Sequence, residues 1–199
     1  MEIREWHIVI SGFQQQSGTI NGTVVVWDDL IRITRDKPSA RVELLTWCDN
    51  VANQAELIKK TEPVDAKPIV NVYGYSWGGM TAANFARELK RRGIEVNHMV
   101  LCDAVYRHWY WLGQWRAFVS LWSIQVPDNV LRVTQFRQKE NYPRGHKVTA
   151  DNPGRTDLGP IHWLGVDHCW MDDQPAFRRA CRDAALQVRM DAPTEISGS

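Results

Sequence analysis

Short apolar runs alternate with amphipathic stretches along this chain, and the alternation has the period of a βα repeat. Trp6-His-Ile-Val-Ile-Ser11 reads as a strand, and Gly12-Phe-Gln-Gln-Gln-Ser-Gly18 as a polar loop bounded by glycines. Thr23 to Arg35 has Val26, Leu30, Ile31 and Ile33 partly at helical spacing, although the β-branched run Val24-Val25-Val26 also suits a strand. Arg41 to Trp47 is a second strand. Asp49 or Asn50 can then cap a helix from Val51 to Thr61 that stops before Pro63. A third strand includes Ile69, Val70, Val72 and Tyr73, and a helix beginning near Met80 stops at Gly93. Val96 to Cys102 and Val130 to Phe136 are the fourth and fifth strands. Between them the Trp-rich stretch Val105 to Trp122 reads as a helix.

Residues 138 to 167, with Pro143, Gly145, Pro153, Gly154, Gly159 and Pro160, read as irregular, with Gly145 to Ala150 as a short edge strand. Asp172 or Asp173 caps a final amphipathic helix to about Val188, and residues 191–199 read as a disordered tail. Apolar strands alternating with helices imply a parallel sheet covered on both faces. The expected architecture is therefore a three-layer α/β/α sandwich with a mostly parallel sheet of five or six strands. It forms one domain over residues 1–190, a length sufficient for a sizeable core.

Ligands in such sheets bind beyond the carboxyl ends of the strands. Three motifs fall there. The first is Gly74-Tyr-Ser-Trp-Gly78, between the third strand and its helix. A serine on so tight a turn stands clear of the sheet, and the flanking glycines avoid collisions with neighbouring backbone. Ser76 is the candidate nucleophile, against the plainer reading of a serine that only shapes the junction. The second is Asp103, which ends the fourth strand. It can accept from an imidazole N–H or merely cap the next helix; Glu140 and Asp157 are the competing acids. The third is the loop after the first strand. A backbone N–H of Phe13 or Gln14, together with that of Trp77, can serve an oxyanion.

A neutral serine needs a base. Of the six histidines, His7 and His98 lie in upstream strands and His108 in the Trp-rich stretch. His168, in Gly165-Val-Asp-His-Cys-Trp170, sits on a loop before the last helix and gives the chain order Ser, Asp, His. His162 is next in rank, and His146 stays open.

Composition narrows the partners. A formal net charge of +1 gives no electrostatic reason to bind nucleic acid or an anionic membrane. The N-terminal region lacks the apolar stretch of a signal peptide, and Ile8-Val9-Ile10 is too short to span a bilayer, so no stable membrane insertion and a cytoplasmic location are expected. The four cysteines have no metal-like spacing and read as buried reduced thiols. Cys102 and Cys169 adjoin the candidate catalytic residues, which leaves a contact between them open. The ten tryptophans are an unusual count. Trp109, Trp115 and Trp122 can share a helix face that covers the sheet; alternatively, Trp109 to Trp115 borders an apolar acyl pocket near Asp103.

The residues Gly12-Phe13-Gln14, Gly74-Tyr-Ser-Trp-Gly78, Asp103 and His168 resemble the α/β-hydrolase superfamily in a short, nearly capless form. The resemblance covers roughly residues 6 to 188. It implies a Ser-His-Asp acyl-enzyme mechanism without metal or organic cofactor, with Ser76 as nucleophile, Asp103 as acid, His168 as base, and Phe13 and Trp77 as backbone oxyanion donors. Two strands that usually precede the oxyanion loop are missing here, and the acid follows the strand directly after the serine's unit, where many members use the next one.

The expectation is a serine hydrolase acting on a small or lipid-like carboxylic ester or thioester. Two other functions use the same residues differently: a binding or assembly protein with this fold and no working triad, and an acyltransferase that passes the acyl group to an acceptor other than water.

Overall fold

The computed structural model describes residues 3–13, 15, 21–107 and 121–191, with side chains to 187. Its centre is a six-stranded sheet built from β1 (Glu5–Ile10), β2 (Ala40–Leu45), β3 (Ile69–Tyr75), β4 (Val96–Cys102), β6 (Val130–Arg137) and β8 (Asp157–Trp163). The strand order is β2-β1-β3-β4-β6-β8, and every neighbouring pair is parallel. A separate parallel ribbon joins β5 (Ser123–Val126) to β7 (Lys147–Ala150).

Parallel strands need crossovers, and the helices that supply them cover both faces. On one face Ala55 and Ile58 of α2 (Val51–Lys60), with Phe85, Ala86 and Leu89 of α3 (Trp77–Arg91), pack on Trp6, Ile8, Val72 and Met99. On the other, Val26 and Leu30 of α1 (Gly22–Thr34), with Phe177, Cys181 and Ala184 of α4 (Pro175–Asp191), pack on Val9, Tyr73, Val100 and Phe136. All six residues of β1 are buried because the strand lies between these layers. Full burial of a side chain such as Phe85 or Leu89 contributes about 1.5–3 kcal/mol.

Several boundaries differ from the sequence reading. The ambiguous Val24-Val25-Val26 segment is helical; Asn21 caps it by accepting from the Val24 N–H at 3.1 Å. α3 starts at Trp77, three residues before the expected Met80, because the turn at Ser76 leads straight into it. The expected edge strand near 147–150 exists, but it pairs with β5 and not with the main sheet. The sixth strand of the sheet is β8, in a stretch read as irregular. Its Gly159 and Pro160 disguise it, and a proline is tolerated because β8 lies at the sheet edge, where one N–H row needs no partner. The register of β6 against β8 also shifts between Val133 and Gln135. The expected Trp-rich helix and the tail beyond residue 191 lie largely outside the described residues.

Among the described residues, no helix is long and apolar enough to cross a membrane. All four cysteines are free thiols, but only Cys102 and Cys181 are buried. Cys48 and Cys169 are exposed, which corrects the expectation that all four are buried.

Candidate active site

The turn after β3 holds Ser76 in a strained conformation. Ser76 has φ 53° and ψ −125°, a conformation that side-chain-bearing residues rarely adopt. Tertiary contacts hold it there. The Ser76 N–H donates to the Cys102 carbonyl at 3.0 Å, and the Ser76 carbonyl accepts from Gly79 N–H at 3.0 Å and Val105 N–H at 2.8 Å. The turn also runs against β1: a Cβ on Gly78 would lie 2.3 Å from the Ile10 carbonyl oxygen. Only glycine fits at that position, as the motif requires.

The Ser76 side chain does not cap α3. Its Oγ lies 2.8 Å from His168 Nε2. On the far side of the ring, His168 Nδ1 lies 2.6 Å from Asp103 Oδ2. A proton on Nδ1 donated to the carboxylate leaves Nε2 free to accept from Ser76 Oγ. Asp103 follows β4, and His168 opens a 3-10 turn, His168–Trp170, before α4. Three segments far apart in sequence thus meet at the carboxyl edge of the sheet.

Asp103 is fully buried, and its own φ is 42°. It caps no helix among the described residues. Oδ1 accepts from the backbone N–H of Gly145 at 2.8 Å and of Gln138 at 3.3 Å, and Oδ2 accepts from Gln138 Nε2 at 3.0 Å as well as from His168. A buried carboxylate requires such a set of donors. Glu140 and Asp157, the competing acids, are exposed.

The imidazole is fixed from other sides. Tyr75 Oη donates to the His168 carbonyl at 2.7 Å, and its ring stacks on the imidazole with centroids 5.3 Å apart. Burial raises the Tyr75 phenol well above its ordinary range, so it remains a donor. The His168 N–H donates to Asn141 Oδ1 at 2.8 Å. Gln138 ties these parts together: its Oε1 accepts from the N–H groups of Glu140 and Asn141, while Nε2 also reaches the Asn141 and Pro143 carbonyls. Gln138, Asn141 and Tyr75 were not singled out in the sequence. Gln138 sits in a polar run, Arg137 to Asn141, where no pattern separates a buried amide from solvated neighbours.

The other described histidines are engaged elsewhere. His7 is buried between Glu5 and Tyr73, at 2.7 and 2.9 Å. His98 bonds to Thr134 Oγ1 at 2.9 Å. His146 accepts from the Tyr106 N–H at 3.1 Å, and His162 is exposed and stacked on Phe136. His108 and Trp109 lie outside the described residues, as does Gln14.

The loop after β1 borders Ser76. Gly12 N–H donates to Gln15 Oε1 at 3.0 Å, and Gln15 Nε2 donates to Asp172 Oδ2 at 2.7 Å. Asp172 also accepts from the Thr23 N–H at 3.1 Å, so it serves the start of α1 and not that of α4, which opens on Pro175. Burial raises the Asp172 carboxyl above its usual value, against the Gln15 hydrogen bond that lowers it. The Phe13 and Trp77 N–H groups have no hydrogen-bond partner among the described residues. Their rings touch, at 4.6 Å between centroids. Among the described residues no three His, Cys, Asp or Glu side chains converge in a metal-binding arrangement.

A parallel sheet in this order, with a strained serine after its third strand and helices on both faces, has a familiar form. The chain has the α/β-hydrolase fold. Residues 24–117 match the sequence model of the thioesterase domain family. No curated protein matches the sequence. Among solved structures, the chain is similar to the NocB thioesterase domain of the nocardicin cluster, at 14% identity and TM-score 0.49, covering 94% of this chain and 95% of that one. It is also similar to a putative hydrolase from Agrobacterium vitis S4, at 14% identity and TM-score 0.49, covering 92% and 87%. A third is human thioesterase 2, at 13% identity and TM-score 0.47, covering 96% and 100%.

Proposed function

We propose that this protein is a serine hydrolase of acyl thioesters and related carboxylic esters. The observation that carries the reading is the continuous row from Ser76 Oγ through His168 to Asp103, at 2.8 and 2.6 Å. Thioesters are favoured over other esters by the thioesterase match across residues 24–117, which spans the oxyanion loop's helix, the serine and the aspartate.

In this reading Ser76 Oγ attacks the substrate carbonyl while His168 Nε2 takes its proton. Asp103 holds Nδ1–H and stabilises the imidazolium. The oxyanion is received by the Trp77 N–H, at the open N-terminus of α3, and by the Phe13 N–H. Collapse of the tetrahedral intermediate breaks the bond from carbon to sulfur or oxygen, and the leaving group takes the proton from Nε2. Water, deprotonated by the same nitrogen, then cleaves the acyl-serine and releases the acid. A non-catalytic binding protein would have no use for a fully buried carboxylate aimed at an imidazole that faces a serine.

Labelling with a fluorophosphonate probe and mapping the modified residue tests this directly. Modification is expected at Ser76, and Ser76→Ala is expected to lose thioester turnover while keeping its fold. Undiminished turnover by that variant would refute the assignment. Adding an alcohol or amine acceptor separates a hydrolase from an acyltransferase by the product formed.

A further inference from the structure

One cation beside the site has no counter-ion among the described residues. Arg107 lies on the segment that leaves Asp103 and runs back past the nucleophile. Val105 N–H is bonded to the Ser76 carbonyl at 2.8 Å, and Tyr106 N–H to His146 Nδ1 at 3.1 Å, so the backbone approaching Arg107 is pinned to the site. The guanidinium lies over the Trp47 ring, 4.9 Å from its centroid. Trp47 meets Trp77 at 5.0 Å and Phe13 at 5.5 Å, and Phe13 meets Trp77 at 4.6 Å. The three rings form one aromatic wall from the residue next to Ser76 to Arg107. Phe13 is 49% exposed, so part of this wall faces outward.

Arg107 is half-buried and makes no hydrogen bond or ion pair among the described residues. Burial pushes its guanidinium below the usual value, with only the Cys48 thiol acting in the opposite sense. An arginine still remains charged at neutral pH. Asp49, the acid nearest Trp47 in sequence, uses Oδ2 to accept from the Thr46 N–H at 2.6 Å. Residues 104 to 127 contain no Asp or Glu, and neither do residues 14 and 16–20. The segments flanking the site therefore offer no carboxylate to neutralise Arg107. The cation–π contact with Trp47 engages the ring and not a hydrogen-bond acceptor, so the guanidinium's N–H donors suit a bidentate acceptor.

We propose that Arg107 determines specificity for an anionic group, carboxylate or phosphate, carried by the substrate, and that Phe13, Trp47 and Trp77 seat the apolar stretch between that group and the reacting carbonyl. This rests on the hydrolase reading of Ser76. The anion belongs either to the acyl part or to the thiol part of the thioester, and the two are separable with defined compounds.

Three butyryl-length substrates serve as probes: the N-acetylcysteamine thioester of butyrate, which is neutral; the N-acetylcysteamine thioester of glutarate, with the anion on the acyl part; and butyryl-pantetheine 4′-phosphate, with the anion on the thiol. Binding is measured by calorimetry to Ser76→Ala and to the Ser76→Ala/Arg107→Gln double variant, and kcat/KM to the wild type and Arg107→Gln. One anionic compound is expected to bind at least about 10-fold more tightly than the neutral one, an advantage that Arg107→Gln removes. The loss in turnover is expected in KM, with the neutral thioester changed less than about twofold. The proposal is overturned if neither anionic compound is preferred, or if Arg107→Gln weakens all three equally. Such a result with Ser76-dependent turnover intact removes Arg107's role and leaves the hydrolase reading standing. Turnover that survives Ser76→Ala removes the hydrolase reading instead.

Discussion

Gly145 lies against Asp103 so closely that a Cβ on it would stand 2.4 Å from Oδ1, while its own N–H donates to that oxygen at 2.8 Å. The contact fixes where the carboxylate can sit. Gly145→Ala is therefore expected to push Asp103 away from His168 and to lower kcat by about 10²-fold, the scale of a misplacement near 1 Å. Steady-state kinetics on a thioester decides it. A variant with unchanged kcat would show that the carboxylate's position is not set from this side.

The Ser76 backbone stores strain. A residue at φ 53° with a β-carbon costs of order 1–3 kcal/mol, which glycine avoids. Ser76→Gly is expected to be inactive yet more stable than Ser76→Ala by about 1 kcal/mol in urea unfolding. Equal stability of the two variants would mean that the turn is relaxed.

Gln138 is the hub behind the acid. Gln138→Leu leaves Asp103 Oδ2 short of one donor and strands the Glu140 and Asn141 N–H groups, so a loss of about 3 kcal/mol is expected. Because the Asn141 side chain also holds the His168 N–H, kcat should fall as well. Thermal unfolding and kinetics on the same preparation test both; a stable variant with normal kcat would make the hub dispensable.

His98 makes stability depend on pH. Burial, reinforced by the Arg132 charge, lowers its imidazole from 6.5 to about 4. The unfolded chain takes up this proton near pH 6.5 and the folded chain only near 4, so folding weakens as pH falls through that window, by about 3 kcal/mol in all. His98→Asn should flatten that part of the stability profile. The same slope in variant and wild type would rule His98 out as its source. Glu5 acts lower. Burial would raise its carboxyl, but hydrogen bonds from His7 and Lys37 outweigh this and hold it below the usual value. Its contribution is complete above about 4.5 and is lost as pH falls through the folded value.

The parts of the fold legible in the sequence were those with a local cause. Five strands of the sheet and the helices at α1, α2 and α3 follow from apolar spacing, Asn50 and the stop at Gly93. Asp172 shows the limit: as an acid before a helix it reads as that helix's cap, yet it folds back onto Thr23 and Gln15. β8 shows another, because a strand carrying Gly159 and Pro160 is intelligible only once it is known to be an edge.

By itself, the sequence determined that a glycine-flanked serine follows a buried strand, because both the tight turn and the apolar run are written in adjacent residues. It could nominate Asp103 only from its place at a strand end, and His168 only from its loop before the last helix and from chain order. Whether the imidazole of residue 168 reaches a hydroxyl 92 positions earlier was decided by the tertiary structure. So was the choice of which glutamine is buried behind the acid and which arginine lacks an ion pair among the described residues. These are contacts between separate loops at one sheet edge, and their energies depend on burial and distance, which no local pattern of residues encodes.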